Sequence, residues 1–374
     1  MLISTLPIVS LVIWVIILVL PWQPWRTKES WESTDDKSNL VDLSDVTVLI
    51  PARNESEVIG QTISAVCRQG KNLNILVIDD NSDDDTARIA KEIGGDHLTI
   101  IKGSRRPQGW SGKLWALEQG RKRVKTSFVM LLDADIKLKQ GVISGLRERL
   151  KSEPYAFISL MAMPTFTGFW DKLLMPAFIY FFKLLYPFRV SNSDSDLVAA
   201  AAGGCILTKK QVLDDIGGFA SLKDTLIDDC TLARQVKDQG YRTWLGLTHS
   251  AQSIRPYTGL TELWNMVART AYTQLSYSIT LLLLCTLLMF FSYVLPIVGV
   301  FLFSGYLLWA SLVTVLIMLC TYLPTLWYYN LNWSWAIAFP LTASLFLAMT
   351  WTSAIRYWQG ERMRWRGRVV KNEI

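Results

Sequence analysis

From Thr270 to Ile355 the chain carries no charged side chain over 86 consecutive positions. Water-soluble cores do not produce an uncharged run of this length, whereas one membrane span needs only about 20 apolar residues. Proline and glycine residues divide the run into three predicted spans, near Ile279–Val300, Tyr306–Leu326 and Ser334–Ile355. The sequence therefore predicts a C-terminal transmembrane region over residues 270–355.

A second uncharged segment, residues 1–25, opens the chain, and Leu2–Leu20 is mostly Ile, Val, Leu and Trp. A signal peptide would need a basic residue before this run and a small-residue cleavage site after it, and the sequence has neither. Arg26 and Lys28 follow the segment directly. Because basic residues mark the cytoplasmic end of a span, we expect an N-terminal transmembrane anchor followed by a cytoplasmic domain.

The last residues, 356–374, hold six basic and two acidic side chains and carry +4 of the formal net charge of +6. A basic juxtamembrane tail favours the cytoplasmic side, yet three full spans after a cytoplasmic domain would leave it outside. Either one segment is incomplete or the tail departs from this tendency. A nucleic-acid partner is not expected, because the charge lies outside the central domain. The chain is predicted to be a multi-pass protein of the cell membrane.

The five cysteines form no CxxC pair and there are only two histidines, which excludes a disulfide scaffold and a zinc or haem module. Cys205 and Cys230 are interpreted as packing residues. His249 is interpreted as a hydrogen-bonded structural histidine rather than a catalyst.

Between the membrane segments, residues 45–269 alternate short apolar strands with helical patterns. The predicted strands are Val46–Ile50, Ile75–Ile78, Leu98–Ile101, Phe128–Leu132 and Phe157–Met161, and the predicted helices are Val58–Arg68, Asp85–Ile93, Leu114–Val124 and Gln140–Leu150. Continuously apolar strands are typical of sheets covered on both faces. The rhythm predicts an α/β fold with a mostly parallel sheet and flanking helices, whose ligands bind beyond the carboxyl ends of the strands.

Acidic side chains follow three of these strands: Glu55 after the first, Asp79 and Asp80 after the second, and Asp133 and Asp135 after the fourth. Asp133 and Asp135 come directly after a buried strand, and side chains at i and i+2 of an extended chain point the same way. Two adjacent carboxylates repel unless a proton or a cation lies between them, and oxygen ligands suit Mg²⁺ or Mn²⁺. An aspartate-rich turn that caps the next helix is the alternative. Asp80 follows the second strand, where a carboxylate can accept hydrogen bonds from a base or a ribose.

Two glycine-containing loops lie between the strands. Gly109–Lys113 precedes a predicted helix and resembles a phosphate loop, with Lys113 as a point charge for a phosphate, or it is simply a helix cap. The Ala199–Cys205 run, with Gly203 and Gly204, permits close approach of a substrate or tight backbone packing.

Asp228 and Asp229 open a later predicted helix, either as an N-terminal cap or as a general base.

The aromatic segment Phe166–Phe188 contains three charged residues and is therefore not expected to span the membrane. We interpret it as an amphipathic helix in the membrane interface, with a buried core helix as the alternative.

Four motifs in this order resemble family 2 glycosyltransferases with a GT-A domain: Pro51–Glu55, Asp79–Ser82, Asp133–Asp135 and Asp228–Asp229. A narrower resemblance is to the bacterial hopene-associated glycosyltransferases. It rests on Gly109–Ala116, Pro176–Phe178, Leu185–Phe188, Ala200–Cys205, Leu226–Cys230, Arg255–Tyr257 and Met266–Ala271.

The resemblance implies an inverting glycosyltransferase that uses a nucleotide-sugar donor, with a UDP-sugar favoured, and a membrane lipid as acceptor. It implies Asp133 and Asp135 as ligands of Mg²⁺ or Mn²⁺, with Asp135 favoured as the direct ligand. It implies Asp229 as the catalytic base, with Asp228 beside it. The implied donor-binding residues are Pro51, Arg53, Glu55, Asp80, Lys113, Asp133, Gly203, Gly204 and Arg255.

The QxxRW motif of processive polysaccharide synthases is absent from the sequence, which favours single transfer over polymer synthesis. A processive synthase and a non-catalytic nucleotide- or lipid-binding scaffold are the alternatives. A transporter is disfavoured because the 86-residue run offers no ionisable residue for coupling.

Overall fold

The computed structural model of the chain describes residues 2–34, 41–223, 225, 228–257, 259–365 and 368–371. The side chains of 2–4, 228, 362–365 and 368–371 lie outside this description. The strands are β1 (Val46–Ala52), β2 (Asn74–Asp79), β3 (Leu98–Lys102), β4 (Phe128–Leu132), β5 (Ile136–Leu138), β6 (Tyr155–Met163), β7 (Cys205–Lys209), β8 (Arg242–Ser253), β9 (Glu361–Trp365) and β10 (Arg368–Lys371).

The helices are α1 (Leu2–Val19), α2 (Ile59–Cys67), α3 (Thr86–Gly94), α4 (Gly112–Arg121), α5 (Val142–Ser152), α6 (Phe169–Leu185), α7 (Phe188–Ser191), α8 (Lys210–Asp215), α9 (Asp228–Asp238), α10 (Leu260–Ala268), α11 (Ala271–Gln274), α12 (Ile279–Met289), α13 (Leu295–Leu302), α14 (Gly305–Tyr328) and α15 (Phe339–Trp358).

The chain divides into two compact units. The sheet unit comprises residues 28–165 and 188–256, and the helical unit comprises residues 1–27, 166–187 and 257–374. The segment 166–187 therefore groups with the N-terminal and C-terminal helices, although it lies in the middle of the predicted 45–269 domain.

The sheet unit contains an eight-stranded mixed sheet in the order β3-β2-β1-β4-β7-β6-β8-β5. The strands β3, β2, β1 and β4 run parallel to one another, as the alternation of strands and helices predicts. β7 is antiparallel to both β4 and β6, which makes the second half of the sheet mixed. The carboxyl ends of β1, β2 and β4 thus lie along one edge.

The sheet is covered on both faces because alternate residues of its central strands enter two separate cores. In β4, Met130 packs in one core with α2 and α5, while Val129 and Leu131 pack in the other with α4 and α9. All five residues of β4 are buried. This double burial explains why the strand is apolar at every position instead of alternating.

The helical unit contains three helices that are long and apolar enough to cross a membrane: Ile279–Leu302, Gly305–Tyr328 and Trp333–Trp358. They agree with the three predicted C-terminal spans to within three residues at each end. The N-terminal apolar helix is shorter, with its apolar stretch at Thr5–Val19. The aromatic segment folds as α6, and Tyr180 packs edge-on against Tyr322 of α14 and Phe339 of α15. One side of α6 is therefore packed as in a core helix, whereas Phe169 and Leu185 of the same helix remain exposed.

Candidate active site

The candidate site begins where three parallel strands end. The backbone N–H of Asp80, after β2, donates to the carbonyl of Ala52 at the end of β1 over 2.9 Å. The backbone N–H of Asp133, after β4, donates to the carbonyl of Gly204 over 3.0 Å, because β7 runs antiparallel beside β4. The sheet therefore brings together acidic residues that lie far apart in sequence.

A cavity at this edge is lined by Pro51, Lys113, Asp133, Gly203 and Asp229, with apolar side chains forming the rest of its wall. These five residues come from five separate segments of the chain, and all five belong to the predicted site. The aromatic wall residue Phe219 was not singled out from the sequence. Its one sequence signal was the preceding Gly217–Gly218 pair, both of which have positive φ.

Lys113 lies in the first turn of α4, where the Ser111 hydroxyl caps the helix by accepting from the N–H of Leu114. Its Nζ is 2.5 Å from Oδ1 of Asp133 and donates to the carbonyl of Gly203 over 3.3 Å. The Gly109–Lys113 loop is thus a helix cap, as the alternative interpretation had it, and it also delivers a cation to the cavity.

Asp229 lies in the first turn of α9. Its Oδ2 accepts a hydrogen bond from the backbone N–H of Gly203 over 3.0 Å, and its Oδ1 accepts from the N–H of Cys230 over 2.8 Å. A carboxylate at a helix N-terminus is favoured by the helix dipole and the exposed N–H groups. The backbone of Asp228 begins α9, but its side chain lies outside the described residues, as do Leu226 and Ile227.

Gly203 is the point where these groups meet. A Cβ atom at this position would lie 3.3 Å from Cβ of Asp229 and 3.5 Å from Nζ of Lys113. At the neighbouring Gly204 a Cβ would meet only ordinary contacts, the nearest being Ile136 at 3.5 Å. The loop before β7 is held in place by the Ser159 hydroxyl, which bonds both the N–H and the carbonyl of Ala202.

Asp135 belongs to a neighbouring cluster with Arg255 and Glu55. The Nε of Arg255 is 3.4 Å from Oδ2 of Asp135, and its guanidinium also pairs with the Glu55 carboxylate. Burial, together with the negative charge of Asp133, raises the pKa of Asp135 to about 6. The repulsion between the two carboxylates is relieved by a proton, by the Lys113 and Arg255 cations beside them, or by a bound metal ion.

Asp80 forms a third group with Arg53. The Nη1 of Arg53 donates to the carbonyl of Asp80 over 2.8 Å and lies 3.7 Å from its carboxylate. Both side chains are buried. Neither lines the cavity of Asp133 and Asp229, although both follow strands of the same sheet edge.

The remaining candidates are structural. His249 pairs through Nδ1 with the Glu32 carboxylate over 2.9 Å, as a hydrogen-bonded structural histidine is expected to do. Burial raises the pKa of the Cys205 thiol far above its usual range, so this cysteine is not a thiolate nucleophile. Cys230 is buried as well.

Residues 47–217, which contain the strand ends just described, match the family model described as Glycosyl transferase family 2. This match covers a little under half of the chain and supports the predicted family for that segment.

The family 2 domain is also similar to curated and solved proteins. The 4,4'-diaponeurosporenoate glycosyltransferase of Staphylococcus aureus (strain USA300) is 28% identical over 120 residues, which cover 29% of this chain and 32% of that protein. The chain thus spans about a third of the length of this relative. Its name is not a hopene-associated one, so the similarity supports the family and not the narrower group.

A solved structure matches over nearly the whole chain. The mannosyltransferase PcManGT from Pyrobaculum calidifontis, in complex with GDP-Man and Mn²⁺, has a TM-score of 0.55 and 15% sequence identity, covering 96% of this chain and 99% of that one. At this identity the likeness concerns the fold. It confirms the predicted GT-A-type α/β fold with flanking and C-terminal apolar helices.

Proposed function

We propose that this protein is an inverting glycosyltransferase of the cell membrane that transfers one sugar from a nucleotide-sugar donor to a membrane lipid. The observation that carries the proposal is the single cavity lined by Lys113, Asp133, Gly203 and Asp229. It combines a cation for a phosphate, a carboxylate for a metal and a carboxylate for proton abstraction at the carboxyl edge of a family 2 domain.

The donor is proposed to bind along the strand ends. The buried Arg53–Asp80 pair at the ends of β1 and β2 offers polar groups for a nucleotide base, and Pro51 and Lys113 line the cavity that would receive the diphosphate. A lysine serves a phosphate as a point charge without fixed geometry. A UDP-sugar is the favoured donor, and GDP-sugars are the class to compare with it.

Asp133 and Asp135 fit a divalent ion that is shared with the substrate. Among the described residues no group of three or more His, Cys, Asp or Glu side chains is placed to hold a metal ion. Mg²⁺ is usually bound by one or two carboxylates, and waters and phosphate oxygens fill its remaining coordination positions. The same arrangement suits Mn²⁺. When bound, the ion would neutralise the charge that develops on the leaving diphosphate.

Asp229 is proposed as the general base. Its Oδ2 is oriented by the Gly203 N–H, and Asp229 lines the same cavity as Lys113 and Asp133. The acceptor hydroxyl would give its proton to this carboxylate while its oxygen attacks the anomeric carbon. The bond to the diphosphate breaks on the opposite side, which inverts the anomeric centre, and Lys113 supports the departing charge.

Three apolar helices in the same chain support a membrane location and a lipid acceptor. A hopanoid, a carotenoid or a polyprenol would each present a hydroxyl or carboxyl group at the bilayer surface. The basic residues that follow the N-terminal segment favour a cytoplasmic position for the family 2 domain.

The proposal is tested with Asp229→Asn. Detergent-solubilised protein is incubated with UDP- and GDP-sugars and a membrane lipid extract, and mass spectrometry identifies the lipid that gains one hexose. The asparagine keeps the shape and an acceptor for the Gly203 N–H but cannot take a proton, so we expect transfer to fall at least about 10²-fold while donor affinity is kept.

The matched control is Asp238→Asn, which removes an exposed carboxylate at the other end of the same helix. It should transfer at the wild-type rate. An active Asp229→Asn protein would remove Asp229 from the role of base, and a polymeric sugar product would contradict single transfer.

A further inference from the structure

A second cavity lies within the helical unit, between α10 and α11 on one side and the end of α15 on the other. Its lining is polar and aromatic and includes two arginines. The lining residues are Asn265, Ala268, Arg269, Tyr272, Thr273, Tyr277, Ser353, Arg356, Tyr357 and Glu361.

The position of this cavity along the spans fixes its depth in a bilayer. The first C-terminal span begins at Ile279, two residues after Tyr277, and the last span ends at Trp358, one residue after Tyr357. Since both helix ends line one cavity, they lie at the same face of a bilayer, so the three helices between them do not all cross it completely. Tyrosine and tryptophan side chains concentrate at the headgroup level in membrane proteins.

Specific contacts hold the aromatic side chains of the cavity in place. The rings of Tyr277 and Tyr357 stack with centroids 4.4 Å apart, and the hydroxyl of Tyr272 donates to the carbonyl of Tyr277 over 2.8 Å. Ser276 and Tyr277 both adopt positive φ, at 50° and 55°. A bulky residue in the left-handed region is held there only when surrounding contacts require it.

The polar part of the cavity offers unused donors. Nη2 of Arg356 donates to Oδ1 of Asn265 over 2.8 Å, which uses one of its five N–H groups. The side chain of Arg269 is exposed and makes no hydrogen bond or ion pair with any residue that the structure describes. Glu361 is the one acidic residue of the lining, so the charge of the lining is +1 in sum.

We propose that this cavity binds the phosphate of a membrane phospholipid. The two guanidinium groups would hold the phosphate oxygens, since arginine matches a phosphate with paired donors. The acyl chains would then lie along the apolar spans that begin and end at the cavity. Basic pockets between membrane helices are a common way to bind lipid headgroups. The proposal concerns the helical unit alone and does not rest on the proposed transfer reaction.

The test uses the full-length protein in detergent and native mass spectrometry, with dioctanoyl phosphatidylglycerol as the probe. Glycerol 3-phosphate serves as the phosphate without acyl chains, and dioctanoylglycerol as the acyl chains without phosphate. We expect the phospholipid to bind one per chain. Both other probes should bind at least about tenfold more weakly, because each lacks one half of the recognised structure.

The double substitution Arg269→Gln/Arg356→Gln should weaken the binding of phosphatidylglycerol about thirtyfold, because each arginine at the headgroup level contributes to the affinity and both are removed. Arg26→Gln is the matched control, because Arg26 also follows an apolar helix of this unit but lies outside the cavity. Its binding should equal that of wild type.

Glu361→Gln tests the same site with the opposite sign. Removing the one carboxylate of the lining should strengthen phosphatidylglycerol binding by about threefold, a gain that misfolding cannot produce. Unchanged binding in the double variant, weaker binding in Glu361→Gln, or equal binding of dioctanoylglycerol would each overturn the proposal. Equal binding of glycerol 3-phosphate would overturn the assignment to a lipid.

Discussion

The tight packing around Gly203 makes Gly203→Ala a direct test of the candidate active site. The added methyl group would lie 3.3 Å from Cβ of Asp229 and 3.5 Å from both Oδ2 of Asp229 and Nζ of Lys113. Carbon atoms prefer separations of about 3.5–4.0 Å, so the Asp229 side chain must move by a few tenths of an ångström, whereas the contact with Lys113 is an ordinary one. The alanine keeps the backbone N–H that bonds Asp229.

Misplacing a reacting group by about 1 Å costs about 10²-fold in rate, so a shift of a few tenths should lower kcat about tenfold. Stability should change by less than about 1 kcal/mol, since the cavity side of the loop can yield. The assay measures nucleotide release from the donor in the presence of membrane lipid, and thermal unfolding is followed in parallel.

Gly204→Ala is the matched control, because a methyl group there meets Ile136 at 3.5 Å and Oδ2 of Asp133 at 3.7 Å, which are ordinary contacts. We expect it to lose less than about threefold in kcat. Wild-type kcat in Gly203→Ala, or equal losses in the two variants at equal unfolding temperature, would refute the placement of Gly203 between Asp229 and Lys113.

Three further predictions follow from the same unit. Lys113→Gln should lower kcat/KM by about 10²-fold or more, because it removes the cation beside Asp133, and Lys113→Arg should keep part of the activity. Steady-state kinetics over a range of donor concentrations measures both variants. Wild-type kinetics in Lys113→Gln would argue against a role of Lys113 in transfer. Treatment with EDTA should weaken donor binding, and added Mn²⁺ or Mg²⁺ should restore it. In the Asp135→Ala variant, the donor affinity measured by calorimetry should not depend on the metal. Metal-dependent donor binding in that variant would exclude Asp135 as a metal ligand. Glu118→Ala should destabilise the sheet unit by roughly 2–3 kcal/mol, because the buried carboxylate accepts from Arg121 and from the N–H of Phe219. The control is Glu148→Ala, which removes an exposed glutamate of α5, and a denaturation midpoint equal to that of this control would contradict the prediction.

Local sequence patterns predicted the first half of the sheet well. The strands β1 to β4 and the helices between them begin and end within three residues of their predicted bounds. The reason is physical: the central strands β1 and β4 are buried on both faces, so their apolar runs are continuous, and the helices bury one stripe. Hydropathy and length also located the three C-terminal apolar helices that are long enough to cross a membrane.

The second half of the sheet depends on pairings that no local pattern records. β7 inserts antiparallel between β4 and β6, and β8 contains polar residues such as Thr248 and His249 that are paired with Glu32. The ion pair between Arg255 and Glu55 joins residues 200 positions apart. The acidic motifs were recognisable from the sequence, but the partners that position them were not.

The helical segment α6 interrupts the sheet unit between residues 165 and 188. Ribosomal synthesis therefore produces β1 to β6 first, then an apolar helix, and only afterwards β7, which must enter the middle of the sheet between strands already made. Gly203 and Asp229 both emerge after this helix. Maturation of the cavity is thus a late event of biogenesis, and removing the two termini alone would leave α6 attached in the middle of the sheet unit.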